Sequence, residues 1–306
     1  MDRTVTRWLF APVARARVAW LRTLLYLFVP VDVLLTTPWV AAHDTAPASL
    51  YRPLFVGRLL EHPAPTYWWV HLVQVLLLAA AVVAATGRAP RLLGAAVFVL
   101  YFEWMLIAMS YGKVDHDRFA FLVALAVLPT VGAARRRDRT PSEAAGFVVR
   151  CITTAVVATY VLSVAAKHRF GGGLPNWLES AVFVRAVLRR GTPLGDLLLD
   201  VPWLLHLSQY GLVAMELAAP VLLVLTGRRL YGALAAYALF HLGTWAAIAI
   251  VFLPHLVCFL AFLPLERLLT EGQAAEPDDA PGRSDGGSAH AGVPPGRRWR
   301  LSATAR

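Results

Sequence analysis

Residues 230–265 contain no Asp, Glu, Lys or Arg. As one helix this run would be about 54 Å long at 1.5 Å per residue. Bilayer hydrocarbon is about 30 Å thick, and about 20 apolar residues cross it. The run is therefore too long for one crossing. It must fold back as a hairpin, turning near Ile250 or at Pro254-His255. Other apolar blocks lie upstream, and the spans read as 18–38, 69–86, 92–110, 119–134, 147–166, 207–226, 230–249 and 251–266. This pattern predicts an all-α polytopic transmembrane helix bundle of about eight spans. Only 16% of the 306 residues are charged, against about 25% in soluble domains. One soluble core is excluded.

The net charge is +10. On a soluble chain that would point toward nucleic acid. Here the arginines occupy short segments between spans, where they set orientation. With the N-terminus inside, 18 Lys and Arg fall on cytoplasmic segments and 9 on longer outer ones. The expectation is a multi-pass cell-membrane protein with both termini cytoplasmic and the lipid bilayer as its partner. No nucleic-acid partner is expected. The first apolar block lacks a small-residue cleavage site and reads as a retained span. Residues 1–17 form a cytoplasmic segment, 18–267 the membrane domain, and 268–306, rich in Gly, Pro, Asp and Arg, a disordered cytoplasmic tail. Cys151 and Cys258 both fall in apolar stretches, so no disulfide is expected.

Two outer loops are long. Residues 39–68 carry Trp39, Trp68 and four prolines. Residues 167–206 open with three glycines, then run through the apolar–basic stretch 177–190, read as an interfacial helix between spans 5 and 6.

Ionisable groups inside spans are costly and point to function by default. Glu103, Glu216 and His241 all lie roughly 15–17 Å from the cytoplasmic edge at 1.5 Å per residue. A tight Gly227-Arg228-Arg229 turn lets Glu216 and His241 face each other, as a structural hydrogen bond or a proton relay. Span 4 has only 16 apolar residues, Phe119–Ala134. Asp115, His116 and Asp117 are therefore drawn toward the outer hydrocarbon edge, where Lys167 ends span 5. An amine held in an apolar pocket can serve as a neutral base. A lysine at a helix end more commonly snorkels to the interface, and on spacing alone that reading is favoured for Lys167. Asp115, His116 and Asp117 match no zinc spacing, so no metal is predicted.

Three stretches carry a resemblance: Lys113-Val114-Asp115-His116-Asp117-Arg118-Phe119; Ala165-Ala166-Lys167 followed by Trp177; and Met215-Glu216-Leu217-Ala218-Ala219-Pro220 with Phe240-His241 one span later. With Arg17 and Arg22 at the first span, the chain resembles the horizontally transferred transmembrane domain family over about residues 10–267. Its best-known relatives are the vitamin K-dependent gamma-carboxylases. The resemblance implies a lyase in which Lys167 is the catalytic base and His116 assists. Asp115, Asp117, Glu216, His241 and Glu103 would support the cavity. In the carboxylases the matching lysine deprotonates reduced vitamin K, and oxygen turns the quinol into a strong base. That base removes a proton from a peptide glutamate, and the carbanion takes up CO2. The implied cofactor is thus a reduced quinone of vitamin K or menaquinol type, with O2 and CO2. The implied partners are a secreted peptide and a small partner protein. The pattern differs in its ten-residue step from Lys167 to Trp177, and no large extracytoplasmic domain follows the last span. The alternative is a non-catalytic membrane partner in maturation of, or immunity to, a secreted peptide.

Overall fold

The computed structural model describes residues 3–268. Of the tail expected at 268–306, all but Leu268 lies outside the described residues. The described chain is mostly helical. The helices are α1 (Arg3–Leu9), α2 (Arg15–Val31), α3 (Phe55–Leu59), α4 (Tyr67–Ala85), α5 (Pro90–Ala108), α6 (Phe119–Val127), α7 (Glu143–Phe170), α8 (Leu174–Leu178), α9 (Val182–Arg190), α10 (Pro193–Leu199), α11 (Pro202–Ala218), α12 (Gly227–Ile248) and α13 (Leu253–Val257). Two residue pairs form a minimal antiparallel sheet: β1 (Val13–Ala14) sets Val13 opposite Ser142 of β2 (Pro141–Ser142).

Four helical segments are long and apolar enough to cross a membrane: Arg15–Thr36, Tyr67–Ala85, Pro90–Ala108 and Glu143–Phe170. A fifth is reached if α10 and the segment Pro202–Leu223, bent by 108° from each other, are counted as one. The chain is a membrane protein on this evidence, and many large apolar side chains, Leu35, Trp68, Leu92, Val99, Leu162 and Leu239 among them, stand exposed as lipid contact requires. The expected span 230–249 appears as the 22-residue α12, and two others are shorter. Residues 119–134 give α6 and a 3₁₀ turn, Leu128–Val131. The last block gives only the ten-residue helix Leu253–Phe262, about 15 Å long. The long run breaks at 249–252: Ala249 stands in the left-handed region at φ 52°, and Pro254 opens the next helix. Residues 177–190, expected as one helix, are split between α8 and α9.

Local chemistry sets the boundaries. The Ser142 hydroxyl accepts a bond from the Ala145 amide and caps α7, whose first turn holds Glu143. Lys167, His168 and Arg169 occupy its last turn, complementing the helix dipole at both ends. Pro90, Pro193 and Pro202 open their helices, where a missing amide hydrogen costs nothing.

The core gathers around α2. Leu21, Leu25 and Val29 on that helix, Val73 and Leu77 on α4, Val97 and Trp104 on α5, Phe121 on α6 and Ile152 on α7 are fully or almost fully buried. After Val31 the helix continues as one π turn, Asp32–Thr36. That turn delivers Asp32 into the bundle, completely buried. Arg118 meets it at 3.1 Å and also takes Asp117 at 3.2 Å and Asp115 at 3.5 Å. The Tyr101 hydroxyl donates to Asp32 at 2.7 Å. Deeper along α2, Arg22 donates to the carbonyls of Leu128 and Gly132, holding the end of the α6 segment.

Removing one member of a buried charge pair leaves the other uncompensated, at about 3–5 kcal/mol. Asp32→Ala should therefore lower the thermal midpoint of the purified protein sharply. Arg118→Met should cost more than Asp32→Ala, because it strands Asp115 and Asp117 as well as Asp32. Equal midpoints for Asp32→Ala and wild type would show that the cluster does not hold the bundle together.

Candidate functional site

On the far flank of α7, that helix, α11 and α12 surround a cavity of about 740 Å³. Each wall is a helical stripe. On α7, Thr159, Tyr160, Ser163 and Lys167 recur at three- and four-residue steps. On α11 the stripe is Leu205, Ser208, Leu212, Met215 and Glu216; on α12 it is Phe240, His241, Thr244, Ala247 and Ile248. Phe183, Val187, Leu194 and Leu198 on α9 and α10 also line it, and His116, Phe252 and His255 complete the wall. The lining is mostly apolar, with a few polar groups turned inward, the usual make-up of a small-molecule site.

The region around α9 and α10 is held to α12 through its last turn. The Thr192 hydroxyl donates to the carbonyls of Ala246 and Ala247, at 2.5 and 3.2 Å, and caps α10 by accepting from the Gly195 amide. Gly195 packs directly on the Ala247 carbonyl, leaving no room for a side chain.

Lys167 is the centre of the polar wall. Its Nζ donates to both carboxylate oxygens of Glu216 at 2.8 Å and to the Ser163 hydroxyl at 2.6 Å. Both charged side chains are largely buried, 14% and 8% exposed. The Trp177 ring lies 5.2 Å from Nζ. Ten residues separate the two, yet the glycines fold the chain back. Gly171 packs against the Lys167 carbonyl and within 3.0 Å of the Trp177 side chain, measured from where a Cβ would stand. Gly172 and Gly173 take positive φ, 73° and 99°.

Lys167 is thus an ion-pair partner, and the snorkelling reading is corrected: the carboxylate that draws it inward comes from another helix. Glu216 and His241, expected to face each other, bond elsewhere. Glu216 takes Lys167, and His241 Nε2 shares a 2.7 Å hydrogen bond with the Tyr160 hydroxyl. Both still line the cavity, as does His116. Asp115 and Asp117 do not line it; they pair with Arg118. Asp115 also takes Lys113 at 2.8 Å. Glu103 lies apart as well. It accepts from Trp69 Nε1 at 2.7 Å and meets His62 Nε2 at 2.6 Å, and His62 is bonded through Nδ1 to Tyr51. Among the described residues, no group of three or more His, Cys, Asp or Glu is arranged to hold a metal.

Sequence reasoning passed over Tyr160, Ser163 and His255. The first two carry a usable signal, since they precede Lys167 by seven and four residues on one helix. His255 carries no signal of its own in the sequence beyond a possible turn beside Pro254.

Comparison of the chain with family models, with curated proteins and with solved structures gives no match.

The Lys167–Glu216 pair can be isolated by a double-mutant cycle. Lys167→Met and Glu216→Ala should each destabilise the protein, and together by less than the sum. A coupling of about 0.5–3 kcal/mol is expected from unfolding free energies. Strict additivity would mean that the two charges do not interact.

Proposed function

We propose that the chain is an eight-span cell-membrane enzyme, related to the membrane domain of the vitamin K-dependent gamma-carboxylases. On this reading it binds a reduced quinone in the cavity and acts on a secreted peptide at the extracytoplasmic face. One observation carries it: Lys167 and Glu216 form a 2.8 Å ion pair in the wall of a largely apolar cavity of about 740 Å³. A soluble substrate would not call for so apolar a chamber. A lipid-soluble ring with polar oxygens fits it, because the walls take the hydrocarbon and the polar side chains take the oxygens.

The residues supply proton handling. Glu216 holds Lys167 Nζ at the cavity wall through two 2.8 Å hydrogen bonds, so a proton exchanged with a bound molecule would pass at a fixed point. Ser163 and the Trp177 ring hold that amine in place. His116 would orient an oxygen of the bound ring. When bound, a reduced quinone supplies an ionisable hydroxyl whose oxidation by O2 yields a base able to act on a peptide glutamate, with CO2 as the electrophile.

Three contacts support the topology. β1 pairs with β2, Arg15 lies 3.9 Å from Asp138, and Arg17 binds Glu266 through two 2.8 Å bonds. The N-terminal segment, the loop before α7 and the end of the last helix therefore share one side. An even number of crossings must separate each from the next. Four before α7 and four from α7 onward satisfy that parity, and the excess of Lys and Arg on that side supports reading it as cytoplasmic. On this topology α9, with Arg185, Arg189 and Arg190 and one buried side chain, Val187, would lie along the outer interface.

Lys167→Ala should abolish modification of the peptide. The readout is mass spectrometry of secreted peptides and membrane quinones from cells with wild type, the variant or no protein. An undiminished product with Lys167→Ala would remove the mechanism. Peptide maturation that needs the protein but tolerates Lys167→Ala and His116→Ala would favour the non-catalytic partner.

A further inference from the structure

We infer that His255 and His241 form a second polar anchor in the cavity, built to hydrogen-bond a ring oxygen of the bound molecule. The inference rests on the quinone reading above and deepens it: the ligand is a flat aromatic ring with two oxygens, of which Lys167 and Glu216 address only one.

His255 is 1% exposed, and neither of its ring nitrogens has a hydrogen-bond partner among the described residues. His241 uses Nε2 on Tyr160, but its Nδ1 is also buried without a partner. Three imidazole nitrogens are thus buried without a partner at the cavity wall. A buried donor or acceptor left unsatisfied is costly, and native structures rarely keep one without a reason. Both rings line the cavity. They are 5.5 Å apart between centroids.

The surroundings suit a flat ring. Phe252 lies 4.7 Å from His241, and Tyr160 packs edge-on to His255 at 4.8 Å. Phe259 supports His255 from another side at 5.5 Å. The imidazole is therefore held by aromatic packing on several sides before any ligand arrives. A neutral imidazole offers one donor and one acceptor. That complement matches a hydroxyl, which needs both, better than a carbonyl, which only accepts. The anchor therefore selects the reduced, diol form of the ring over the oxidised dione. A trapped water is the competing explanation, since it too would satisfy idle nitrogens.

The test uses the full chain in lipid nanodiscs, with menaquinone-4 as probe, once kept reduced by dithionite and once oxidised. Affinity is read by equilibrium titration, and folding by thermal midpoint. Wild type should bind the reduced probe more tightly than the oxidised one. His255→Phe should weaken the reduced probe about tenfold and erase the difference between the two forms, with an unchanged or higher midpoint. His255→Gln, which keeps a donor and an acceptor, should retain part of the preference and guards against a Phe variant that fails to fold. Unchanged affinity in His255→Phe, with a raised midpoint, would assign the nitrogens to a water and overturn the inference. Failure of wild type to bind either form would overturn both it and the quinone reading. Normal binding with the His255 dependence but no peptide product would retire the catalytic reading alone and leave the anchor standing.

Discussion

A polar group in hydrocarbon has no water to fall back on and must find its partner inside the protein. That constraint organises this bundle. Arg118 gathers three carboxylates, from the π turn after α2 and from its own entry segment, and so ties α2 to α6. Arg22 spends one nitrogen on the carbonyls at the end of the α6 segment. Lys167 crosses from α7 to α11 through Glu216. Each contact joins helices that apolar packing alone would leave free to slide, because lipid tails are as apolar as leucine. The bonds fix the register, and the core around Leu21, Leu25 and Trp104 then packs within it.

The sequence carried the helical class and the outline of the first four long segments, because unbroken apolar runs have few other outcomes. The turn at Ala249 stayed ambiguous. Ile250 and Pro254 were both plausible, and the choice depends on how α12 meets α10. Site residues were legible as types and depths but not as pairs. Depth along a helix axis matched Glu216 to His241, yet the direction around the axis turns Glu216 to Lys167 and His241 to Tyr160. Asp115, His116 and Asp117 form one motif on paper. The short 3₁₀ turn His116–Arg118 divides them, sending the imidazole to the cavity and the two carboxylates to Arg118. His255 was invisible because its meaning lies in what it lacks, and a missing partner leaves no trace in sequence.

The two halves of the polar machinery have opposite economies. In the Arg118 cluster the guanidinium and Lys113 meet three carboxylates inside the fold. The cavity wall around His241 and His255 is unsaturated.

Helix α7 runs unbroken for 28 residues, about 42 Å, well beyond the roughly 30 Å hydrocarbon. Its start is pinned by the Ser142 cap and the β1–β2 pair, and Lys167 sits in its last turn. A rigid rod longer than its solvent layer answers a change in layer thickness by tilting. The surplus, about 12 Å, is taken up by tilt or by turns standing clear of the hydrocarbon, so an amine in the last turn lies toward the membrane's edge and away from its centre.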